Sequence, residues 1–218
     1  MGDVPLAEGR PKLKAAPSPR PATADDADAV RDILTAAFAD DPVMSWCFGA
    51  KRPIGTLFRE MVAGCYLRRG FAHIIDEDAA TLWLPCGQAP KLNAFREMRI
   101  AGAILASGGF SAVRRSFRLA DAVENSHPAT PHYYLFAVGV RTEMQGRGLG
   151  RRVIQEGLAL ADRDGAPAYL ENSRARNAPL YQSLGFRKCG DIPLPEGAPP
   201  LAPMWRDARP PMASSPPQ

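Results

Sequence analysis

Apolar residues recur at helical spacing through Ala27, Val30, Ile33, Leu34, Ala37 and Phe38, behind a Thr23–Asp26 capping pair, and the pattern stops at Pro42. This predicts a first helix. A second is predicted from about Pro53 to Arg69, where Leu57, Met61, Cys65 and Leu67 share a broad face and Gly70 supplies the stop. The segments Ala72–Asp76 and Ala80–Pro85 flank an acidic turn and predict a hairpin. Two helical segments follow, about Lys91–Ala106 and Ser111–Asn125, broken at Ser107-Gly108-Gly109. Tyr133, Tyr134, Leu135, Phe136, Val138 and Val140 then form a strand, and Val153, Ile154, Leu158 and Ala161 line one face of a helix after Gly150. Gly139, inside that strand, marks a bulge or the close approach of another backbone. After a turn at Asp164–Pro167 the pattern predicts a strand at Ala168–Asn172, a short helix, and short strands near Phe186–Cys189 and Met204–Arg206. The order predicts an α/β (mixed α+β) fold whose central sheet starts antiparallel.

The 218 residues, 45% of them hydrophobic, suffice for one core. Residues 20–206 are expected to form the domain, with 1–19 and 207–218 as disordered tails rich in Pro, Ala and charge. A net charge of +4 raises the question of nucleic acid. The basic residues do not interleave with aromatics, however, and they form no recognised nucleic-acid module, so no nucleic-acid partner is expected. Cys47, Cys65, Cys86 and Cys189 are dispersed, and His73, His127 and His132 stand at no metal-ligand spacing from them. No metal is expected. The sequence has no leader-like segment and no apolar run of membrane length, which predicts a cytoplasmic protein, monomeric or homodimeric, with no membrane partner.

The chemistry concentrates in Leu135–Arg152, where a strand, a glycine-rich turn and an amphipathic helix follow one another. Gly146, Gly148 and Gly150 leave the backbone uncovered, so successive N–H groups can close on an anion at the positive end of the helix. Arg147, Arg151 and Arg152 add positive charge. A mononucleotide loop would need a lysine after Gly150, and a dinucleotide turn would need a glycine where Val153 stands. The segment instead resembles the Q/R-x-x-G-x-G/A signature of the GNAT superfamily of acyl-CoA N-acyltransferases, with Gln145, Gly148 and Gly150 at its defining positions. Farther on, Asn177, Tyr181 and Leu184-Gly185-Phe186 resemble that family's second signature, in the family's order and at its usual distance. Between about Arg20 and Arg206 the chain is most similar to the group that includes puromycin N-acetyltransferase. This similarity lies in Arg20-Pro21-Ala22-Thr23, Ala37–Pro42, Leu170-Glu171-Asn172-Ser173 and Met204-Trp205, and it departs at Asp41, where a tyrosine is expected in the puromycin enzyme.

The resemblance implies a GNAT-type sheet with splayed central strands, parting near Gly139, and acetyl-CoA as co-substrate. It implies that Gln145, Gly146, Arg147, Gly148, Leu149, Gly150 and Arg151 hold the pyrophosphate and that Val138 and Val140 offer main-chain groups to the pantetheine. Asn177 is either a cofactor ligand or a helix cap. Tyr181 is the candidate general acid, since a phenol stays protonated at neutral pH and can donate to a thiolate; the alternative is packing. Glu171 is the candidate base, with His132 as another and a structural carboxylate as the alternative. Phe38, Asp40, Asp41, Met44, Trp46 and Phe48 form either an acceptor wall or a helix end with core aromatics. The expected activity is acetyl transfer to a primary amine of a small molecule. The alternatives are a protein or peptide N-acetyltransferase and a non-catalytic acyl-CoA sensor.

Overall fold

A computed structural model describes residues 18–49 and 53–209; of the expected tails, 1–17 and 210–218 lie outside the described residues. Seven strands form one sheet in the order β1-β2-β3-β4-β5-β7-β6. They are β1 (Arg20–Pro21), β2 (Phe71–Ile75), β3 (Ala79–Leu84), β4 (Tyr133–Val140), β5 (Ala168–Asn172), β6 (Arg187–Lys188) and β7 (Ala202–Arg206). Only β4 and β5 are parallel; every other neighbouring pair is antiparallel, so the sheet is mixed with an antiparallel start. The helix between β4 and β5 provides the crossover that a parallel pair needs.

One face of the sheet packs against α1 (Ala27–Ala37), α2 (Pro42–Phe48), α3 (Ile54–Met61) and α5 (Ala94–Ser126), burying Ile33, Leu34, Phe58, Ile74, Leu82 and Tyr134 among others. The other face carries α6 (Leu149–Arg163) and α7 (Ala178–Ser183) over Trp83, Leu135, Ile154, Leu158 and Phe186. The expected second helix is continuous, but α3 passes through a π turn (Val62–Tyr66) before a last α turn, α4 (Leu67–Arg69). That turn aims Tyr66 into the core, where its ring stacks on Phe136 with centroids 5.1 Å apart. The break expected in the long helical stretch is real: Gly109 has φ 69° and ψ −171°, which kinks α5. The first part of α5 is fastened by Arg96 and Arg99, which pair with the buried Glu60 at 2.6 and 3.0 Å.

One expectation is corrected and one open alternative is decided. Pro42 does not end the first helix: α1 stops at Ala37, and Pro42 opens α2 because Asp41 caps it, accepting from the amides of Val43 and Met44 at 2.9 and 3.1 Å. Proline suits the first helical position, where its missing N–H costs nothing. Of the two readings of Gly139, the close approach of another backbone holds and the bulge does not. Gly139 pairs regularly with Ala80, and the register shift lies between Leu82 and Trp83, which leaves Phe136 as the extra residue on β4. Gly139 is needed because α1 crosses there: a Cβ would lie 2.9 Å from that of Ala37 and 3.3 Å from the Ile33 carbonyl oxygen.

Candidate active site

Strands β4 and β5 are joined only at Tyr133–Ala168 and Tyr134–Tyr169, and beyond that point they part. The splay therefore starts five residues before Gly139. The gap widens into a cavity of about 500 Å³ that reaches from the glycine-rich turn to the loop after β5. Residues Leu135–Val138 and Val140 line it, so the β4 edge facing β5 lends the cavity an unpaired backbone. This is the kind of edge that an extended amide-bearing chain can join.

The turn is shaped by Gly146 and Gly148, both at φ 77°, and Gly148 is the N-cap of α6. With nothing within 4 Å of where their Cβ atoms would stand, the space above both is open. Gly150 lies inside the helix and faces Val140 and Leu180. Together these residues present bare amides at the positive end of a 15-residue helix. Leu149 turns its side chain into the core beside Ile75, Ala79 and Val153, leaving only its backbone for a ligand. Gln145 donates from Nε2 to the Val140 carbonyl at 3.3 Å, which ties the turn to the end of the strand and occupies one acceptor of the open edge. Arg151 donates to the Ser183 hydroxyl, linking α6 to α7. Arg147 is exposed and is not part of the cavity wall.

Tyr181, Asn177 and Glu171 all line the same cavity. Tyr181 is 6% exposed, with its ring 6.2 Å from that of Phe186, so it packs as well as faces the opening. Burial, and next the Asp41 carboxylate, push its phenol well above the ordinary tyrosine value. It stays protonated. Asn177 sits at the N-cap of α7, yet its side chain makes no capping hydrogen bond. The capping alternative therefore fails, and the amide is available to the cavity. Among the acceptor-wall candidates, Phe38, Asp41 and Met44 line the cavity. The other three do not: Asp40 is exposed, Phe48 is buried in the core, and the Trp46 ring lies under Arg115. Asp41 is a helix cap as well as a wall, and its second oxygen accepts from Ser173 Oγ at 2.5 Å.

Glu171 is the centre of a polar cluster that sequence reasoning reached only in part. Tyr134 donates its hydroxyl to Oε2 at 2.7 Å, and His127 Nδ1 lies 3.5 Å from Oε1. His132, the other candidate base, lies behind the wall: its Nδ1 meets the Thr130 carbonyl at 2.7 Å and its Nε2 meets His127 Nε2 at 3.0 Å. Burial lowers the His132 pKa, which keeps it neutral. His127 and Tyr134, which complete this cluster, were not singled out from the sequence as site candidates. The available signal was the pair of histidines framing Pro128 and Pro131 immediately before the cavity strand. Among the described residues, no three His, Cys, Asp or Glu side chains are placed to hold a metal ion, and no helix is long and apolar enough to cross a membrane.

The family model for acetyltransferases of the GNAT type matches residues 58–186. An uncharacterised N-acetyltransferase of Schizosaccharomyces pombe is 41% identical over 54 residues, a match that covers 25% of this chain and about a fifth (22%) of that relative. Among solved structures, a Corynebacterium glutamicum protein described as histone acetyltransferase HPA2 and related acetyltransferase superposes with a TM-score of 0.67 at 26% identity, over 90% of this chain and 99% of its own. Arylalkylamine N-acetyltransferase 2 of Aedes aegypti has the same fold, with a TM-score of 0.57 at 13% identity and coverages of 88% and 98%. So has the Drosophila melanogaster polyamine N-acetyltransferase that forms N-acetylagmatine, with a TM-score of 0.59 at 14% identity and coverages of 87% and 98%.

Proposed function

Because the chain belongs to the GNAT family of acetyltransferases, we propose that it moves the acetyl group of acetyl-CoA directly onto a primary amine of a small molecule. One observation carries this reading. The parting of β4 from β5 beside the left-handed glycine turn makes a single cavity that runs from bare helix-end amides to Glu171 and Tyr181. The amides from Gln145 to Arg151 receive the pyrophosphate, and Val138 and Val140 pair with the pantetheine, Val140 through whatever its bond from Gln145 leaves free. Asn177 adds a side-chain contact. A β4 amide polarises the thioester carbonyl as the tetrahedral oxyanion forms. Glu171 accepts the amine proton, and Tyr181, held protonated by burial, supplies the proton for the departing thiolate.

Val123 of α5 forms part of the cavity wall, and a helix standing on that side suits a small acceptor better than a long chain. Glu171 suits a cationic amine, while Phe38 and Met44 suit an apolar body. Within the family we place the chain in the group that includes puromycin N-acetyltransferase. Asp41 and Ser173, from two of the segments that carry that similarity, are hydrogen-bonded to each other. Asp41 in place of a tyrosine argues against puromycin itself as acceptor. A cytoplasmic location accords with four free cysteines.

The test is thiol release from acetyl-CoA with agmatine, arylalkylamines, puromycin and a lysine-containing peptide. Release that depends on a small amine and exceeds that with the peptide is the expected result. Preference for the peptide would move the chain to protein acetylation, and tight acetyl-CoA binding with no release for any amine would make it a sensor.

A further inference from the structure

Hydrogen-bond directions around Glu171 are forced by one backbone carbonyl. Thr130 O can only accept, so His132 donates to it from Nδ1. A neutral His132 then presents a lone pair at Nε2, and the contact of 3.0 Å requires His127 to donate from its own Nε2. That fixes the tautomer of His127 and leaves its Nδ1 as an open acceptor pointed at Glu171 Oε1, 3.5 Å away. The other carboxylate oxygen is committed to the Tyr134 hydroxyl at 2.7 Å. Oε1 itself is buried and makes no hydrogen bond within normal range. One proton is missing between Oε1 and Nδ1, and each atom is placed to hold it.

We propose that His127 takes from Glu171 the proton that Glu171 removes from the acceptor amine, so that the carboxylate is regenerated before the next turnover. This rests on the assignment of Glu171 as base made above. In the first step an N–H bond of the ammonium breaks and an O–H bond forms on the carboxylate, giving a free amine and a carboxylic acid. In the second, the O–H bond at Oε1 breaks and an N–H bond forms at Nδ1, giving carboxylate and imidazolium. The separation of 3.5 Å is longer than a formed N–H···O bond, as expected of a pair that tightens when the shared proton arrives. The imidazole is held between the rings of Tyr134 and Tyr169, with centroids 4.8 and 4.9 Å away, so its orientation does not drift. With 29% of its side chain exposed, unlike Glu171 at 6%, it can pass the proton to solvent. Nothing in this arrangement brings His127 to the acceptor; it is a positioning residue that acts through Glu171.

The groups facing His127 are Glu171 and Tyr169 from β5, Tyr134 from β4 and His132 from the preceding loop. Tyr169 from β5, His132, Tyr66 from the π turn and Cys189 after β6 act on Glu171 as well. The relay is tested with His127→Asn, whose amide stands where Nδ1 stood beside Glu171 but takes up no proton, with Glu171→Gln and the parent alongside. With the fastest amine of the panel, His127→Asn should lose about 10²-fold in kcat, a value typical of proton-transfer groups. KM for amine and for acetyl-CoA should stay within about twofold. Free imidazole should restore part of the rate. A merely structural histidine would instead move KM and melting temperature, with no rescue. Parent-like turnover in Glu171→Gln overturns the base assignment and the relay together; slow Glu171→Gln with parent-like His127→Asn overturns the relay alone. Independently of any amine, ¹⁵N spectra of the parent should show neutral His132 protonated at Nδ1 and neutral His127 at Nε2. The opposite tautomers would overturn the proposal even if the variants failed to fold.

Discussion

Gly148 and Gly150 are two residues apart in the same turn, and the structure predicts opposite consequences for replacing them by alanine. At Gly148 the space is open, so Gly148→Ala creates no clash. Its cost is conformational. With φ at 77°, an alanine must adopt the left-handed region, which destabilises by about 1–2 kcal/mol. For a domain of this size that lowers the melting temperature by about 2–8 °C. Gly150 has ordinary helical geometry, and an added Cβ stands 3.4 Å from Val140 Cγ2 and 3.8 Å from Leu180 Cδ2, both tolerable contacts. Alanine there gains up to about 1 kcal/mol of helix propensity. Gly150→Ala should therefore melt at or above the parent temperature, yet it places a methyl group between β4 and α7 at the mouth of the cradle. Thermal unfolding by circular dichroism and calorimetric titration with acetyl-CoA separate the two effects. Gly148→Ala should lose stability, while Gly150→Ala should lose acetyl-CoA affinity at undiminished stability. Should Gly150→Ala bind acetyl-CoA as tightly as the parent, the ligand does not approach the helix end and the cradle assignment is wrong.

Tyr181→Phe keeps the ring packed on Phe186 and removes only the acidic proton, so kcat should fall by about 10² to 10⁴ while acetyl-CoA affinity holds; turnover within about twofold of the parent would make Tyr181 a packing residue. Arg206, 3% exposed, meets Asp162 through two bonds of 2.7 Å and the Leu184 carbonyl at 3.0 Å, so Arg206→Ala should cost about 3 kcal/mol in urea unfolding, and a loss under about 1 kcal/mol would refute the importance of this tie. All five tyrosines are pushed upward, first by burial, with Tyr133 raised to about 12. Folded values above the unfolded value of about 10 mean that this stability is complete below pH 10 and is lost as pH rises through 12 and beyond. Phenolate absorbance near 295 nm should therefore appear together with unfolding; tyrosines that titrate near pH 10 in a protein with native circular dichroism would contradict it.

What could be read from the sequence was what is encoded within a few residues. The turn from Gln145 to Arg151 announces itself because its glycines, helix start and preceding strand are contiguous, and α5 shows its kink because glycines interrupt an otherwise helical pattern. The charge network around Glu171 was hidden for the opposite reason. Tyr134 lies 37 residues from Glu171, and His127 reaches it only after α5, β4 and β5 have packed. Local pattern also misjudged Asp41-Pro42, since an Asp-Pro pair can close one helix or open the next and only tertiary packing decides. Gly139 could be read locally as a bulge or as the close approach of another backbone, and only packing decides between them. What the glycine accommodates is α1, which comes from more than a hundred residues earlier in the chain.

The position of β7 has a consequence for the order of assembly during synthesis. In the sheet it stands between β5 and β6, so a strand translated after both of them must slot between them. Until Ala202–Arg206 leave the ribosome, β5 has only its short parallel pairing with β4, and the strand that bears Glu171 has a bare edge. The amide cradle is complete in the nascent chain some forty residues before the far side of the cavity can be braced. A nascent chain at that stage would have the anion-binding end of its site before the end that holds the base. Arg206, on reaching Asp162, then locks the last strand against the helix that carries the cradle.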